Sequence, residues 1–378
     1  MTAPAKAGRA RARSVPVAAL ARSSALGGDA LHTDASAIAA LVACPPFVGK
    51  TKLHGCRGSL YPGCRYIVAI PVRNEERRLP ATLDALGVTM RAVEPMGCAV
   101  FVVNDTDDRS SDAIAQWSQR SGISALVVDV AFSASIRNAP HARRLALDIA
   151  ARAVPQGILF TTDADTTVGE TWVERGIHAV AAGADLVCED VLLDEQELSA
   201  LPEQVREVGD AERAYFDLCD LLWRYWTYGR AGHLAARPSG ASLAITASAY
   251  LSLGGLPLPP VGEDRALHEL VVRSGLVVEA LENGGTRTSA RLTSRAAGGC
   301  GDALADRAAS ADPFCDPRLK PISLLHDEAT LWLELHRARW RRVHPVPTAH
   351  DPMRFSVLKH ELASAREMAT AYGLIDAA

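Results

Sequence analysis

Gly157-Ile158-Leu159-Phe160-Thr161-Thr162 runs directly into Asp163-Ala164-Asp165 and then Thr166-Thr167-Val168. The run is short and apolar, the pattern of a strand buried on both faces. Two carboxylates therefore stand at a strand's end. In open α/β sheets ligands bind outside the carboxyl ends of the strands, and carboxylate oxygens are the donors that hard divalent cations prefer. A metal-bound diphosphate suits that arrangement. Acidic pairs also occur in ordinary turns, where Asp side chains accept from nearby backbone amides, so the rest of the chain has to decide between the two.

Outward from this stretch, apolar runs alternate with helical patterns. Strands are expected at 66–70, 99–103, 125–130, 157–162 and 185–188, with helices from 75, from 111, over 142–153 and over 171–182. Such βαβ alternation predicts an α/β fold with a doubly wound, mostly parallel sheet. No GxGxxG follows the first strand, so a dinucleotide-binding reading lacks its fingerprint. Residues 190–238 break the rhythm with a charged helical stretch carrying Tyr215, Phe216, Trp223, Tyr225, Trp226 and Tyr228. These aromatics read as helix packing ahead of an acceptor pocket. A strand at 242–245, helices at 247–253 and 264–274 and a strand at 276–281 follow. Then come an Arg- and Gly-rich loop, 283–299, and two terminal helices, 324–342 and 357–372.

The 378 residues suffice for one large domain with appendages. A formal net charge of -4 argues against a dominant nucleic-acid footprint. No apolar run reaches the length of a membrane span and the N-terminus lacks a secretory apolar segment, so a cytoplasmic protein is expected. The eight cysteines include no CxxC pair, and Cys44, His54, Cys56 and Cys64 fit no familiar zinc spacing. The first 28 residues show no sustained periodicity, and beyond a short helix near 36–43 the approach to the core is punctuated by Pro and Gly. The expected organisation is a largely disordered N-terminal tail over 1–60, a main domain over 61–310 and a helical extension over 311–378.

Other polar signatures fall at expected strand and helix ends. In Pro71-Val72-Arg73-Asn74-Glu75-Glu76, Asn74 is suited to cap a helix with the two glutamates in its first turn. In Asn104-Asp105-Thr106-Asp107-Asp108, Asp105 can accept from a nucleotide base or ribose, with turn formation as the competing role. Gly262-Glu263-Asp264-Arg265 opens a helix, where the dipole favours acids whether or not they do chemistry. Arg287, Arg291 and Arg295 recur every four residues among Thr, Ser and Gly; guanidinium forks suit phosphate oxygens, while a solvated basic surface is the alternative.

In their order along the chain these motifs resemble family 2 glycosyltransferases of the GT-A fold. IPVRNEE, NDTDD, DAD, SGASLAI with Gly254-Gly255, and GEDRAL carry the resemblance, and TSARLTSRAAGG resembles a group of soluble bacterial members with an Arg-rich loop after the GED helix. One departure is Asn104-Asp105 where a paired Asp is commoner. The resemblance implies a sheet of GT-A type with extra C-terminal helices. It also implies a nucleotide-sugar donor held by Pro71, Arg73, Asn74, Glu75, Asn104, Asp105 and Asp163, with Arg287, Arg291 and Arg295 near the diphosphate. Mg²⁺ or Mn²⁺ would sit on Asp165, with Asp163 contacting ribose or a metal-bound water. Asp264 is then the general base for an acceptor hydroxyl, with Glu263 beside it. The implied activity is metal-dependent, hexosyltransferase-like transfer with inversion. A sugar-phosphate nucleotidyltransferase and a non-catalytic nucleotide-sugar-binding partner protein are the alternatives.

Overall fold

The computed structural model describes residues 35–376 apart from 96, 232–233, 235–237, 294–297 and 338–349. Helix α1 (Ala35–Val42) and strand β1 (Thr51–Gly58) come first. Three strand–helix units follow: β2 (Tyr66–Val72) with α2 (Leu79–Arg91), β3 (Cys98–Asn104) with α3 (Ser110–Ser121), and β4 (Ala125–Phe132) with α4 (Ala139–Ala153). Every residue of β2 and β3 is buried, which explains why these strands read as continuous apolar runs instead of alternating ones. Along β2, Ile67 and Ala69 enter one core with Leu145 and Ile149 of α4. Val68 and Ile70 enter the opposite core with Leu83 and Leu86 of α2. Helices therefore cover both faces, as a doubly wound sheet requires.

The chain continues through β5 (Ile158–Thr161), the two-residue β6 (Thr166–Thr167), α5 (Trp172–Ala181), β7 (Leu186–Glu189), β8 (Leu192–Leu193), α6 (Glu195–Ser199) and the long α7 (Glu203–Trp226). It then forms β9 (Leu243–Thr246), α8 (Ala247–Ser252), α9 (Glu263–Arg273), β10 (Val278–Leu281), β11 (Arg287–Thr288), α10 (Cys300–Ala309), α11 (Ile322–Arg337) and α12 (Phe355–Ala371). The main sheet has eight strands in the order β1-β4-β3-β2-β5-β9-β7-β10. Strands β2 to β5 are mutually parallel, and β10 is parallel to β7. Strand β9 runs antiparallel to both β5 and β7, and β1 antiparallel to β4, so all strands of this sheet except β1 and β9 share one direction. The reversal of β9 has a consequence for function: its first residue, Leu243, pairs with Thr161 at the end of β5. The segment leading into β9 is thereby delivered to the carboxyl ends of its neighbours.

Within residues 35–58, expected to lie in a largely disordered tail apart from a short helix near 36–43, α1 falls where that helix was expected, whereas Thr51–Gly58 form an edge strand. Strand β1 pairs with β4 from Thr51↔Phe132 to Gly58↔Leu126. Its sequence, TKLHGCRG, carries little apolar pattern because an edge strand is held mainly through its backbone, and only Leu53 and Cys56 pack inward. At Gly58 (φ 81°) a Cβ would lie 2.1 Å from the Ala125 carbonyl oxygen, so the pairing demands glycine there. Phe47, between α1 and β1, is 1% exposed and stacks on Phe132.

A second, three-stranded sheet in the order β6-β11-β8 is too short to be read from sequence. It places the Arg-rich segment directly against the turn that follows Asp165, with Thr288 paired to Thr166. The approach is close: a Cβ on Gly169 would lie 1.8 Å from the Gly284 carbonyl oxygen. Helices α7, α11 and α12 enclose a separate core containing Tyr215, Leu222, Leu325 and Leu358. The aromatic cluster of α7 serves that core. The Tyr215 hydroxyl donates to the Lys320 carbonyl oxygen at 2.7 Å, Tyr225 stacks on Tyr372, and the Trp226 ring meets His326 edge-on. Among the described residues no helix is long and apolar enough to cross a membrane.

Replacing Phe47 by Ala is expected to lower unfolding free energy by about 3–5 kcal/mol, the cost of emptying a buried aromatic site. Chemical denaturation checks this, and a change within error would return the segment to the status of a tail.

Candidate functional site

The carboxyl ends of β2, β3 and β4 are stitched together by short polar contacts. Asn74 and Asp105 both adopt left-handed backbone (φ 52° and 47°), a conformation that Asn and Asp tolerate better than most residues. Asn74 Oδ1 accepts from the Asp107 amide at 3.0 Å, and the Glu75 amide donates to Ser110 Oγ at 3.0 Å. The Glu76 amide donates to Asp108 Oδ2 at 2.9 Å. Asn74 is therefore not a helix cap; α2 begins at Leu79, and Asn74 bonds one strand-end turn to the next. Asp105 has a similar fixed role. Its Oδ2 accepts from the Phe132 amide at 3.2 Å, and its Oδ1 lies 3.2 Å from Arg137 Nε.

Above these turns opens a cleft of about 380 Å³. Pro71, Arg73, Glu75 and Asn104 line it from the strand ends, Asp163 and Asp165 from the turn after β5, and Glu263 and Asp264 from the start of α9. Arg291 closes it from the segment after β11. Nine of the residues singled out from sequence thus share one cavity. Asn74, Asp105 and Arg287 do not line it. Arg287 belongs to β11, where its carbonyl oxygen accepts from Thr167 Oγ1, so the four-residue spacing of arginines does not form one helical face. Arg295 lies outside the described residues.

Two guanidinium groups neutralise the acids. Arg143 of α4, which no sequence motif singles out, is 3% exposed and bridges Asp163 to Glu263. Burial alone would depress its ionisation, but Asp163, Glu263 and Asp264 outweigh that and raise its pKa. Burial also raises the Glu263 carboxyl, against the opposing charge of Arg143. Arg291 Nη2 lies 2.8 Å from Asp165 Oδ2 and 2.9 Å from Glu75 Oε1, and Nη1 donates to Glu75 Oε2 at 3.1 Å. Despite Arg291, burial and the nearby Asp163 push the Asp165 carboxyl up to about 6. Glu197 of α6, also missed in the sequence, anchors the Arg291 segment by accepting from Ser289 Oγ and the Ala290 amide, each at 2.7 Å.

Asp264 is held differently. Its Oδ2 accepts from the Gly240 amide at 3.0 Å and its Oδ1 from the Arg265 amide at 2.7 Å, in the first turn of α9. Gly240 belongs to the segment that the reversal of β9 brings to this end of the sheet. A side chain there would have to displace the Arg143 guanidinium from its place, because a Cβ would lie 2.5 Å from it. On α4 the adjacent Arg144 turns away from the cleft. It donates to the carbonyl oxygens of Gly254 and Leu256 at 2.7 Å each, fixing the turn that leads to α9.

Among the described residues no three His, Cys, Asp or Glu side chains converge as a self-sufficient metal cage. Two neighbouring carboxylates, Asp163 and Asp165, do face the cleft. That donor set fits Mg²⁺ or Mn²⁺ held jointly by protein and ligand, since Mg²⁺ is usually bound by one or two carboxylates plus substrate phosphates and water. Among the described residues the lining carries five carboxylates and three arginines, a surplus of two negative charges.

Residues 67–241 match the model of Glycosyl transferase family 2. No curated protein matches the sequence. Solved structures with distant similarity include the mannosyltransferase PcManGT from Pyrobaculum calidifontis in complex with GDP-Man and Mn²⁺, at 16% identity over 84% of this chain and 79% of that one, with a TM-score of 0.46. S. aureus TarS 1-349 in complex with UDP-GlcNAc is 11% identical over 73% of each chain, with a TM-score of 0.44. Glucosyl-3-phosphoglycerate synthase from Mycobacterium tuberculosis in complex with Mg²⁺ and UDP is 15% identical over 65% of this chain and 78% of that one, with a TM-score of 0.37.

The raised Asp165 carboxyl sets a pH test. Between the ordinary Asp value near 4 and about 6, the folded state holds a proton that the unfolded chain releases, so this residue makes stability fall as pH rises through that window. In metal-free buffer, Asp165→Asn should be more stable than wild type at pH 7 by roughly 1–3 kcal/mol, with the gap closing towards pH 4. Denaturation at a series of pH values measures it, and a gap independent of pH refutes the assignment.

Arg143→Ala should cost about 3–5 kcal/mol, because it leaves Glu263 and Asp163 without their buried counter-charge. Adding Glu263→Gln should recover part of the loss. A single variant as stable as wild type would show that the bridge is dispensable for folding.

Proposed function

We propose that the protein transfers a hexosyl group from a nucleoside-diphosphate sugar to an acceptor hydroxyl, in a metal-dependent reaction that inverts the anomeric centre. The observation that carries this reading is the shared cleft: an Asp163/Asp165 pair at the end of β5 faces the same cavity as Asp264 at the start of α9. Among the described residues of the lining, the surplus of two negative charges matches one divalent cation. Asp163 and Asp165 would hold that cation, whose charge would offset the negative charge gathering on the departing diphosphate.

In the proposed reaction the acceptor oxygen bonds to the anomeric carbon while the bond from that carbon to the diphosphate oxygen breaks. The bonding pair leaves with the nucleoside diphosphate, and the acceptor proton passes to Asp264. The amides of Gly240 and Arg265 fix the two Asp264 oxygens, so its orientation is set before substrate arrives. Arg143 pairs with both Asp163 and Glu263 and so links the carboxylate pair to the start of α9. Arg73 and Arg291 supply guanidinium donors on the cleft wall for phosphate oxygens, whose charge grows in the transition state. Asp105, with its carboxylate held by the Phe132 amide and Arg137, supports the nucleotide end by fixing the β3 turn from which Asn104 faces the cleft.

A thermal-shift screen of UDP, GDP, CDP and dTDP sugars with Mg²⁺ or Mn²⁺ should find a donor that raises the melting temperature only with metal. With that donor, Asp264→Asn should bind with unchanged affinity and lose on the order of 10² or more in kcat. Near-normal turnover in the variant would return Asp264 to a role in helix capping and overturn the assignment. Failure of every donor to stabilise the protein would count against the reading as a whole.

A further inference from the structure

We propose that Arg291 is a built-in counter-cation that shields Asp165 from a divalent cation until a nucleoside diphosphate offers the guanidinium another partner, so that metal and donor are taken up together. The inference rests on the reading that Asp163 and Asp165 hold the cation.

The two carboxylates of the pair are neutralised in different ways. The partner of Asp163 is Arg143, in the body of α4, buried and engaged at the same time by Glu263. The partner of Asp165 is Arg291, which reaches it from an irregular segment beyond β11. One nitrogen, Nη2, lies within 3 Å of both Asp165 Oδ2 and Glu75 Oε1, and the second, Nη1, completes a fork on Glu75. All three side chains are largely shielded from solvent, at 19% exposure for Arg291, 11% for Asp165 and 6% for Glu75. Water therefore screens the contact poorly, and a second cation arriving at Asp165 would meet the guanidinium at short range in a low-dielectric setting. Either the guanidinium leaves Asp165 or the metal stays weakly bound.

The geometry supplies a way out. Arg291 retains Glu75 as a partner when it releases Asp165, and its backbone stays tethered through Ser289 and Ala290 to Glu197. A diphosphate gives the fork a pair of oxygens of the kind it binds with two bonds. Metal then binds tightly only where the diphosphate has drawn Arg291 away, and by linkage the diphosphate binds tightly only with metal present. If Arg291 were only a donor contact, metal affinity without nucleotide would be indifferent to it.

The test uses the full chain, with Mn²⁺ alone as the first probe and Mn²⁺ with UDP or GDP as the second. Free Mn²⁺ is followed by electron paramagnetic resonance. Arg291→Gln should bind Mn²⁺ without nucleotide about tenfold or more tighter than wild type, the equivalent of losing one charge-assisted contact that competes with the ion. The factor by which the nucleotide tightens Mn²⁺ binding should shrink correspondingly. Glu75→Gln combined with Arg291→Gln should keep the gain, which separates displacement of the cation from the freeing of an extra carboxylate. Wild-type protein gives an independent readout: Mn²⁺ alone should speed amide hydrogen exchange over residues 289–293, and Mn²⁺ with nucleotide should slow it. Equal Mn²⁺ affinity in wild type and Arg291→Gln, with exchange unmoved by Mn²⁺ alone, overturns the shielding role and leaves the metal assignment standing. Mn²⁺ binding that survives Asp165→Asn unchanged overturns both.

Discussion

The guanidinium of Arg143 is the group around which the rest of the cleft is arranged. It sits in the body of α4, almost wholly buried, and ties the end of β5 through Asp163 to the start of α9 through Glu263. Burying an ion triad of this kind is expensive, and well-packed apolar side chains are often at least as stable in such places. Its value here is positional. The same guanidinium packs against Gly240, where a Cβ would push it aside, and the Gly240 amide donates to Asp264. One cation thereby sets the spacing between the carboxylate pair, the turn before β9 and the first turn of α9.

That arrangement depends on the mixed character of the sheet. Parallel strands send their carboxyl ends to one side, which gathers the turns after β2, β3 and β5. Only a strand running the other way can send its amino-terminal approach to the same side, and β9 does this by inserting antiparallel between β5 and β7. Successive residues on an α-helix point about 100° apart, so Arg143 faces the cleft while Arg144 faces the turn at Gly254 and Leu256. The pair locks both approaches to the α9 start from a single turn of helix.

The two arginines that neutralise the carboxylate pair divide a structural task from a responsive one. Arg143 is held between two acids in the interior, whereas Arg291 is carried on a short segment between β11 and α10. The three-stranded sheet and Glu197 bring that segment into register with the turn after β5 without making it part of the main core. A cation so placed is near enough to matter and free enough to exchange partners.

The order and type of most elements were legible in the sequence because fully buried parallel strands leave continuous apolar runs, and amphipathic helices leave a 3.6-residue period. The acidic motifs stood out because several of them fall where apolar runs end or helical patterns begin, whereas of the three spaced arginines only Arg291 is found lining the cleft among the described residues. Strand β1 was not, since an edge strand held by its backbone needs no hydrophobic pattern. The two-residue strands β6, β8 and β11 are too short to carry any period. Arg143 was invisible for a related reason: a mid-helix Arg looks solvated until the fold brings Asp163 and Glu263 against it. Asn74 looked like a helix cap and proved to be a bridge between turns, because whether a side chain caps its own helix or bonds a neighbouring strand's turn is settled by what lies beside it in space. The sequence by itself determined which segments would be buried and where charged groups would meet a strand or helix end. Only the tertiary structure decided which charges face one another, because ion pairing and desolvation depend on distances between segments far apart in the chain.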